Sequence, residues 1–234
     1  MGNDGSSESP DDITRVRLIK PSAGPLAEFL GARLFARTQT LRGRVADLDR
    51  ELGFRYPTIE IIPVCFRTSA DKDAVVFART TYRCFEGTTR IVVQVSALTI
   101  VGFSDDEVDG VLAHEWLHYV WQTIEFAKAV RPTPTGDLIS SPNDSTNDAV
   151  SFDEYTRDDS QRQVEDSSWL SERLARLCRR ITHSGPGESG LLAYREWLRL
   201  GYPTEMMSLS HRFTGSIDLD ETLVARAGEL GLLS

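Results

Sequence analysis

The sequence predicts an α+β fold, one domain with a small β-sheet and a helical C-terminal half. Three observations predict it. Apolar residues recur at helical spacing near the start, β-branched runs bounded by prolines follow, and helical spacing returns from Asp105 onward. A length of 234 residues suits one core, or one domain with a small appendage.

Residues 1–23 are polar, end in "KPSAGP" and read as a disordered tail ahead of a domain spanning 24–234. The first residues lack the basic and apolar regions of a secretory signal. Gly2 and Ser6 fit the short myristoylation pattern, against which a plain polar tail is the expectation. From Pro25 to Leu52, Leu26, Phe29, Leu30, Leu34, Leu41, Val45, Leu48 and Leu52 keep helical spacing, and Gly53 is a stop signal. "PTIEIIPVCF" and "DAVVFART" read as strands. "TTRIVVQVSALTI" is the clearest strand, with Ile91, Val93 and Val95 alternating against Val92, Gln94 and Ser96.

"GFSDDEVDG" then announces a helix. Ser104 and Glu107 make a capping box, and Asp105 and Asp106 fall in the first turn, where the helix dipole favours negative charge. That helix is expected to run to about Lys128 and to stop before Pro132. Residues 131–151, rich in Pro, Ser, Asn and Asp, read as a long surface loop. Helical spacing resumes from Phe152 to Ile181, strongest at Leu170, Leu174, Leu177 and Ile181. Shorter helices are expected around Leu191–Leu200, Thr204–Arg212 and Asp218–Leu230.

Composition narrows the function. A net charge of -9 offers no basic surplus to displace counterions, so nucleic acid is excluded as the main partner. No run of about 18 apolar residues exists, so no transmembrane segment is expected. Cys65, Cys84 and Cys178 are odd in number and form no CxxC pair; they read as small buried hydrophobes of a reducing, cytoplasmic compartment.

One stretch carries chemistry. "GVLAHEWLHYVW", Gly110–Trp121, sets two histidines and a glutamate among Val, Leu, Trp and Tyr. His114 and His118 are four residues apart, so on a helix they share a face one turn apart. Two imidazole nitrogens at that spacing reach one ion at the roughly 2.0–2.1 Å that zinc requires. Glu115 projects about 100° round from His114, too far to ligate beside both histidines. It still reaches a water on the ion, which is where a general base must stand. Burying these three groups without compensation costs several kcal/mol. This HExxH arrangement is therefore preferred to two satisfied core histidines beside a solvent-facing glutamate.

Such a site needs a third protein ligand. Trp121 and Ile124 stand where the extended HExxHxxGxxH form has Gly and His, so the ligand comes from a later element. Glu165 and Asp166 in "RQVEDSSWL" lead, and Glu154 in "DEYTRD" follows. Helical phase relative to Leu170, Leu174 and Leu177 turns Asp166 toward the core and Glu165 away from it.

From Arg90 to His118, "RIVVQVSALTIVGFSDDEVDGVLAHEWLH" resembles the gluzincin zinc metallopeptidases of the family that contains the CAAX prenyl endopeptidases and the HtpX-like membrane proteases. That family has a strand, a small-residue turn, the HExxH helix and a later helix bearing a glutamate. "SQRQVE", Ser160–Glu165, is similar to the start of that later helix. The resemblance implies a zincin-like fold, Zn2+ held by His114, His118 and Glu165, and Glu115 as catalytic base. The activity it implies is hydrolysis of peptide bonds in a peptide or protein substrate. Zinc polarises the carbonyl and activates water, and Glu115 moves its proton to the leaving amine. The strand at Ile91–Ser96 is expected to take an extended substrate as an added edge strand. The chain departs from the pattern at Leu117, where the family has Gly, and at Ser168 and Trp169, where Ala and Asp would follow Glu165. The family's membrane helices are absent, which implies a soluble relative.

Two other readings stand beside this one. A SprT-like zincin takes a histidine as third ligand; His183 is the candidate, but it lies 65 positions after His118 and reads as a loop histidine, as does His211. A catalytically inactive zincin-fold binding module fits the missing Asp after Glu165. The acidic stretch Asp137–Asp166 lacks the Gly and ligand order of a calcium loop and reads as solvated. Oligomeric state is not legible.

Overall fold

Pro25–Leu52 form the first helix, α1, on the bounds that their spacing predicts. Leu34, Leu41, Val45, Leu48 and Leu52 are buried along it. Gly53 ends it at φ +73, a left-handed conformation that glycine alone adopts without steric cost. The structure, a computed structural model, describes residues 16–18, 25–67, 75–85, 88–130, 169–184, 187–199, 201, 204–206 and 216–233.

The strands are β1 (Val16–Leu18), β2 (Thr58–Ile62), β3 (Cys65–Arg67), β4 (Val75–Val76), β5 (Ala78–Phe85), β6 (Thr88–Ser96), β7 (Thr204–Met206) and β8 (Ser216–Asp218). Among the described residues the remaining helices are α2 (Ala97–Gly102), α3 (Asp105–Val130), α4 (Glu172–Ser184), α5 (Glu188–Arg199) and α6 (Glu221–Glu229). Helices and strands thus mix in one chain around a small, mostly parallel sheet. Its order is β1-β2-β6-β5, with β8 also alongside β6. β1, β2, β6 and β8 pair in parallel and β5 is antiparallel to β6. A second, three-stranded sheet runs β4-β3-β7.

Four expectations need correction. Val16–Leu18 falls in the predicted tail 1–23 but pairs in parallel with Ile59–Ile61, and Val16 is buried. Helix α1 supplies the crossover that a parallel pair requires. The predicted strand through Ile100 ends at Ser96, whose Oγ accepts from Leu98 N at 3.2 Å and so caps α2. Thr204–Met206 is strand, not helix, because it pairs with Cys65–Arg67. The helical pattern drawn from Phe152 to Ile181 is interrupted at Trp169–Ser171; α4 begins at Glu172 behind Ser171, whose Oγ accepts from Leu174 N. The predicted loop 131–151 lies outside the described residues.

Helix α3 runs beneath the sheet. Its start is the predicted capping box: Glu107 Oε2 accepts from Ser104 N at 2.7 Å, and Ser104 Oγ accepts from Glu107 N at 3.4 Å. Two devices hold α4 against it. Gly110 leaves no room for a side chain, since a Cβ there would lie 2.6 Å from Ile181 Cγ1 and 2.9 Å from the Leu177 carbonyl oxygen. Asp109 is buried between two arginines, Arg44 of α1 at 2.7 Å and Arg173 of α4 at 2.8 Å, and Arg173 also pairs with Glu51 of α1. Three helices are therefore locked at one carboxylate.

Candidate metal centre

The middle of α3 is buried almost all round. Trp116 and Leu117 are in the core, Tyr56 stacks on Trp116, and the Tyr56 hydroxyl donates to the Leu112 carbonyl at 2.7 Å. Helical spacing then brings His114 and His118 together as predicted. Their Nε2 atoms are 2.9 Å apart and their ring planes are nearly perpendicular, at 82°. His118 is 7% exposed. Burial pushes the His114 imidazolium down to about 4; His118 is lowered too, by burial and then by His114. Both rings are neutral at pH 7, the state that metal ligation requires.

Glu115 is 4% exposed, and among the described residues no cation acts on it. Its Oε2 accepts from Thr80 Oγ1 of β5 at 2.8 Å. Burial raises its carboxyl to about 7 against the lowering effect of the Thr80 hydrogen bonds. A carboxylate with that pKa can both take and return a proton at neutral pH.

Two donors on a tetrahedral zinc, each about 2.05 Å from it, stand about 3.3 Å apart. The observed 2.9 Å lies close to that, and the donor atoms converge, so the two imidazoles fit their half of a zinc site. Among the described residues no group of three or more metal-ligating side chains forms. The candidate third ligands Glu165, Asp166 and Glu154 lie outside those residues. The phase argument for Asp166 fails, because Leu170 precedes the helix whose phase it was meant to set. His183 is not a loop residue: its backbone belongs to α4, directly after Thr182. Thr182 Oγ1 sits 3.3 Å from His114 Nδ1. The packing of α4 on α3 thus brings Thr182, 64 positions after His118, beside His114.

The edge-strand assignment also changes. β6 has β5 along Thr88–Val95 on one side and β2 with β8 on the other, and Ser96 N donates to the Phe77 carbonyl, so Ile91–Ser96 is an inner strand without a free edge for a substrate. Among the described residues β5 is an edge strand, and through Thr80 it touches Glu115 directly.

Sequence reasoning missed three residues here. Thr80 and Thr182 need the β5 and α4 placements. Gln122 was within reach of spacing alone, one turn past His118; its buried Oε1 has no hydrogen-bond partner among the described residues. No family model, curated protein or solved structure matches the chain. Among the described residues no helix is long and apolar enough to cross a membrane.

Proposed function

We propose that the chain is a zinc-dependent metalloendopeptidase of zincin type. What carries the reading is the pair of neutral imidazoles, His118 buried and His114 half-buried, whose Nε2 atoms converge to 2.9 Å on the helix that also bears Glu115. His114 and His118 hold the ion in this reading, and Glu165 is the third ligand on the family resemblance. When bound, zinc supplies Lewis-acid polarisation and acidifies water at neutral pH. Glu115, poised near 7, takes a proton from the attacking water and returns it to the leaving amine. The edge of β5 offers backbone groups to an extended peptide beside that carboxylate. The packed faces of Trp116, Leu117 and Tyr119 keep bulk water from α3, which strengthens each charge interaction there.

The expected outcome is about one zinc per chain in protein prepared without added metal. His114→Ala and His118→Ala remove it. Glu115→Gln keeps the zinc and lowers cleavage of an unstructured protein such as casein by at least about 100-fold. Absence of zinc from the isolated protein, with no change in melting temperature when zinc is added, ends the reading.

A second reading changes only the ligand. In it a histidine is the third donor, and His183, whose backbone follows Thr182 on α4, is the candidate. Loss of zinc in His183→Ala but not in Glu165→Ala selects it. A third outcome, zinc retained without cleavage, selects the inactive binding module.

A further inference from the structure

His114 has two ring nitrogens with different neighbours. Nε2 faces His118 Nε2 at 2.9 Å, and Nδ1 lies 3.3 Å from Thr182 Oγ1 on α4. A threonine hydroxyl has a single proton to give. That of Thr182 goes to the Cys178 carbonyl at 3.0 Å, the i to i−4 bond common for threonine on a helix. Toward His114 the hydroxyl therefore offers lone pairs only. With that proton on the Cys178 carbonyl, the bond between them runs from imidazole Nδ1–H to Thr182 Oγ1.

We propose that Thr182 is a positioning residue, fixing His114 in the Nδ1–H tautomer so that the Nε2 lone pair is presented to a metal ion. The tautomer stands on the hydrogen bonds alone; its consequence for metal affinity rests on the zinc reading above. A neutral imidazole carries its proton on one nitrogen or the other, and the hydrogen bond at one decides which lone pair is free at the other. Partners of this kind on ligating histidines change metal affinity by about 10–100-fold.

The fold spends specific residues on bringing Thr182 there. Gly110, one turn before His114, admits α4 so closely that a Cβ would strike Leu177 and Ile181. At the other end of α4, Arg173 is held by Asp109 and Glu51. The helix is thereby fixed in both approach and axial position, and Thr182 is the side chain that reaches the ring. The family pattern supplies an Asp after the third ligand, where this chain has Trp169, and Trp169 is buried on Phe54 instead, ring centroids 5.5 Å apart.

Thr182→Val keeps the shape and removes the acceptor; Thr182→Ser keeps the acceptor. Long-range proton–nitrogen correlation spectra of the metal-free protein read the tautomer directly. Wild type and Thr182→Ser are expected to show His114 protonated at Nδ1, and Thr182→Val to lose that preference. Chelator competition with zinc is expected to show Thr182→Val weakened about 10–100-fold and Thr182→Ser within about threefold of wild type. A wild-type His114 protonated at Nε2 overturns the proposal, and so does a valine variant with its tautomer unchanged. Equal weakening of zinc binding by both substitutions, with Nδ1–H retained in both, also overturns it, since packing alone would then be responsible. A wild type that shows Nδ1–H yet takes up no zinc upholds the tautomer assignment and removes the metal reading instead.

Discussion

Asp109 and Glu115 are both buried carboxylates on α3, and their surroundings could hardly differ more. Asp109, whose side chain is 5% exposed, meets two guanidinium groups, Arg44 through both oxygens and Arg173 through one. Glu115 is buried against neutral groups among the described residues, with hydrogen bonds from Thr80. An acid compensated by two fixed cations ties helices together. An acid given burial and only neutral donors is held near its own titration point. A fold gains nothing in stability from the second arrangement, because burying a carboxyl with so little compensation is unfavourable. Such a group is retained for chemistry or tolerated by accident, and its place between His114 and His118 favours chemistry.

Breaking the first arrangement should produce the largest loss of stability. Asp109→Ala leaves Arg44 and Arg173 without their shared partner and removes the ion pair that ties α4 to α3, while Arg173 keeps Glu51 of α1. Loss of one member of a buried pair costs about 3–5 kcal/mol. The two arginines are 23% and 42% exposed, and solvent screening places the expected cost near the lower figure. At 2–4 °C per kcal/mol for a chain of this size, the melting temperature falls by roughly 10 °C. Thermal unfolding of the variant beside Glu115→Gln checks the contrast, since Glu115→Gln removes a strained acid and is expected to melt no lower than wild type. A Glu115→Gln protein destabilised as much as Asp109→Ala would make both carboxylates structural.

The next effect separates two helical glycines. Gly110 faces Ile181 and Leu177 at distances no Cβ tolerates, whereas Gly43, exposed on α1, has nothing within 4 Å. Alanine favours a helix over glycine by about 1 kcal/mol. Gly43→Ala is therefore expected to stabilise by up to that amount. Gly110→Ala gains the same propensity but forces α4 outward, with a net loss of about 1–3 kcal/mol. Denaturant unfolding of the two variants reads the difference in sign. Equal stabilisation by both would mean that α4 does not pack on Gly110 as described.

What could be read beforehand follows the range of the interaction. The α1 bounds, the Ser104–Glu107 capping box and the convergence of His114 with His118 depend on residues within one or two turns, so spacing alone placed them. The partner of Glu115 did not follow, because Thr80 reaches it only through the pairing of β5 with β6 and the packing of that sheet on α3. Counting along an assumed helix to choose between Glu165 and Asp166 failed at Ser171, the side-chain cap behind which α4 begins, so the phase of α4 does not extend back to those residues. The edge strand was misassigned for a related reason. Alternation in Ile91–Ser96 marks a strand but says nothing of its neighbours, and here both flanks are filled.

The smallest expected effect tests the hydroxyl that Glu115 does have. The Thr80 hydrogen bonds favour the carboxylate, so they hold the Glu115 carboxyl lower than burial alone would. Thr80→Val removes the hydroxyl with little change of shape, and the carboxyl must then titrate above about 7. The base-active form is the ionised one. The acid limb of the pH–rate profile for casein cleavage is therefore expected to move to higher pH, by about 1, while the rate on the alkaline plateau changes little. A shift of the limb to lower pH would mean that Thr80 accepts from a protonated Glu115 instead of donating to the carboxylate. A limb that stays in place would assign it to a group other than Glu115, and the opposition between the two buried acids of α3 would then have no counterpart in activity.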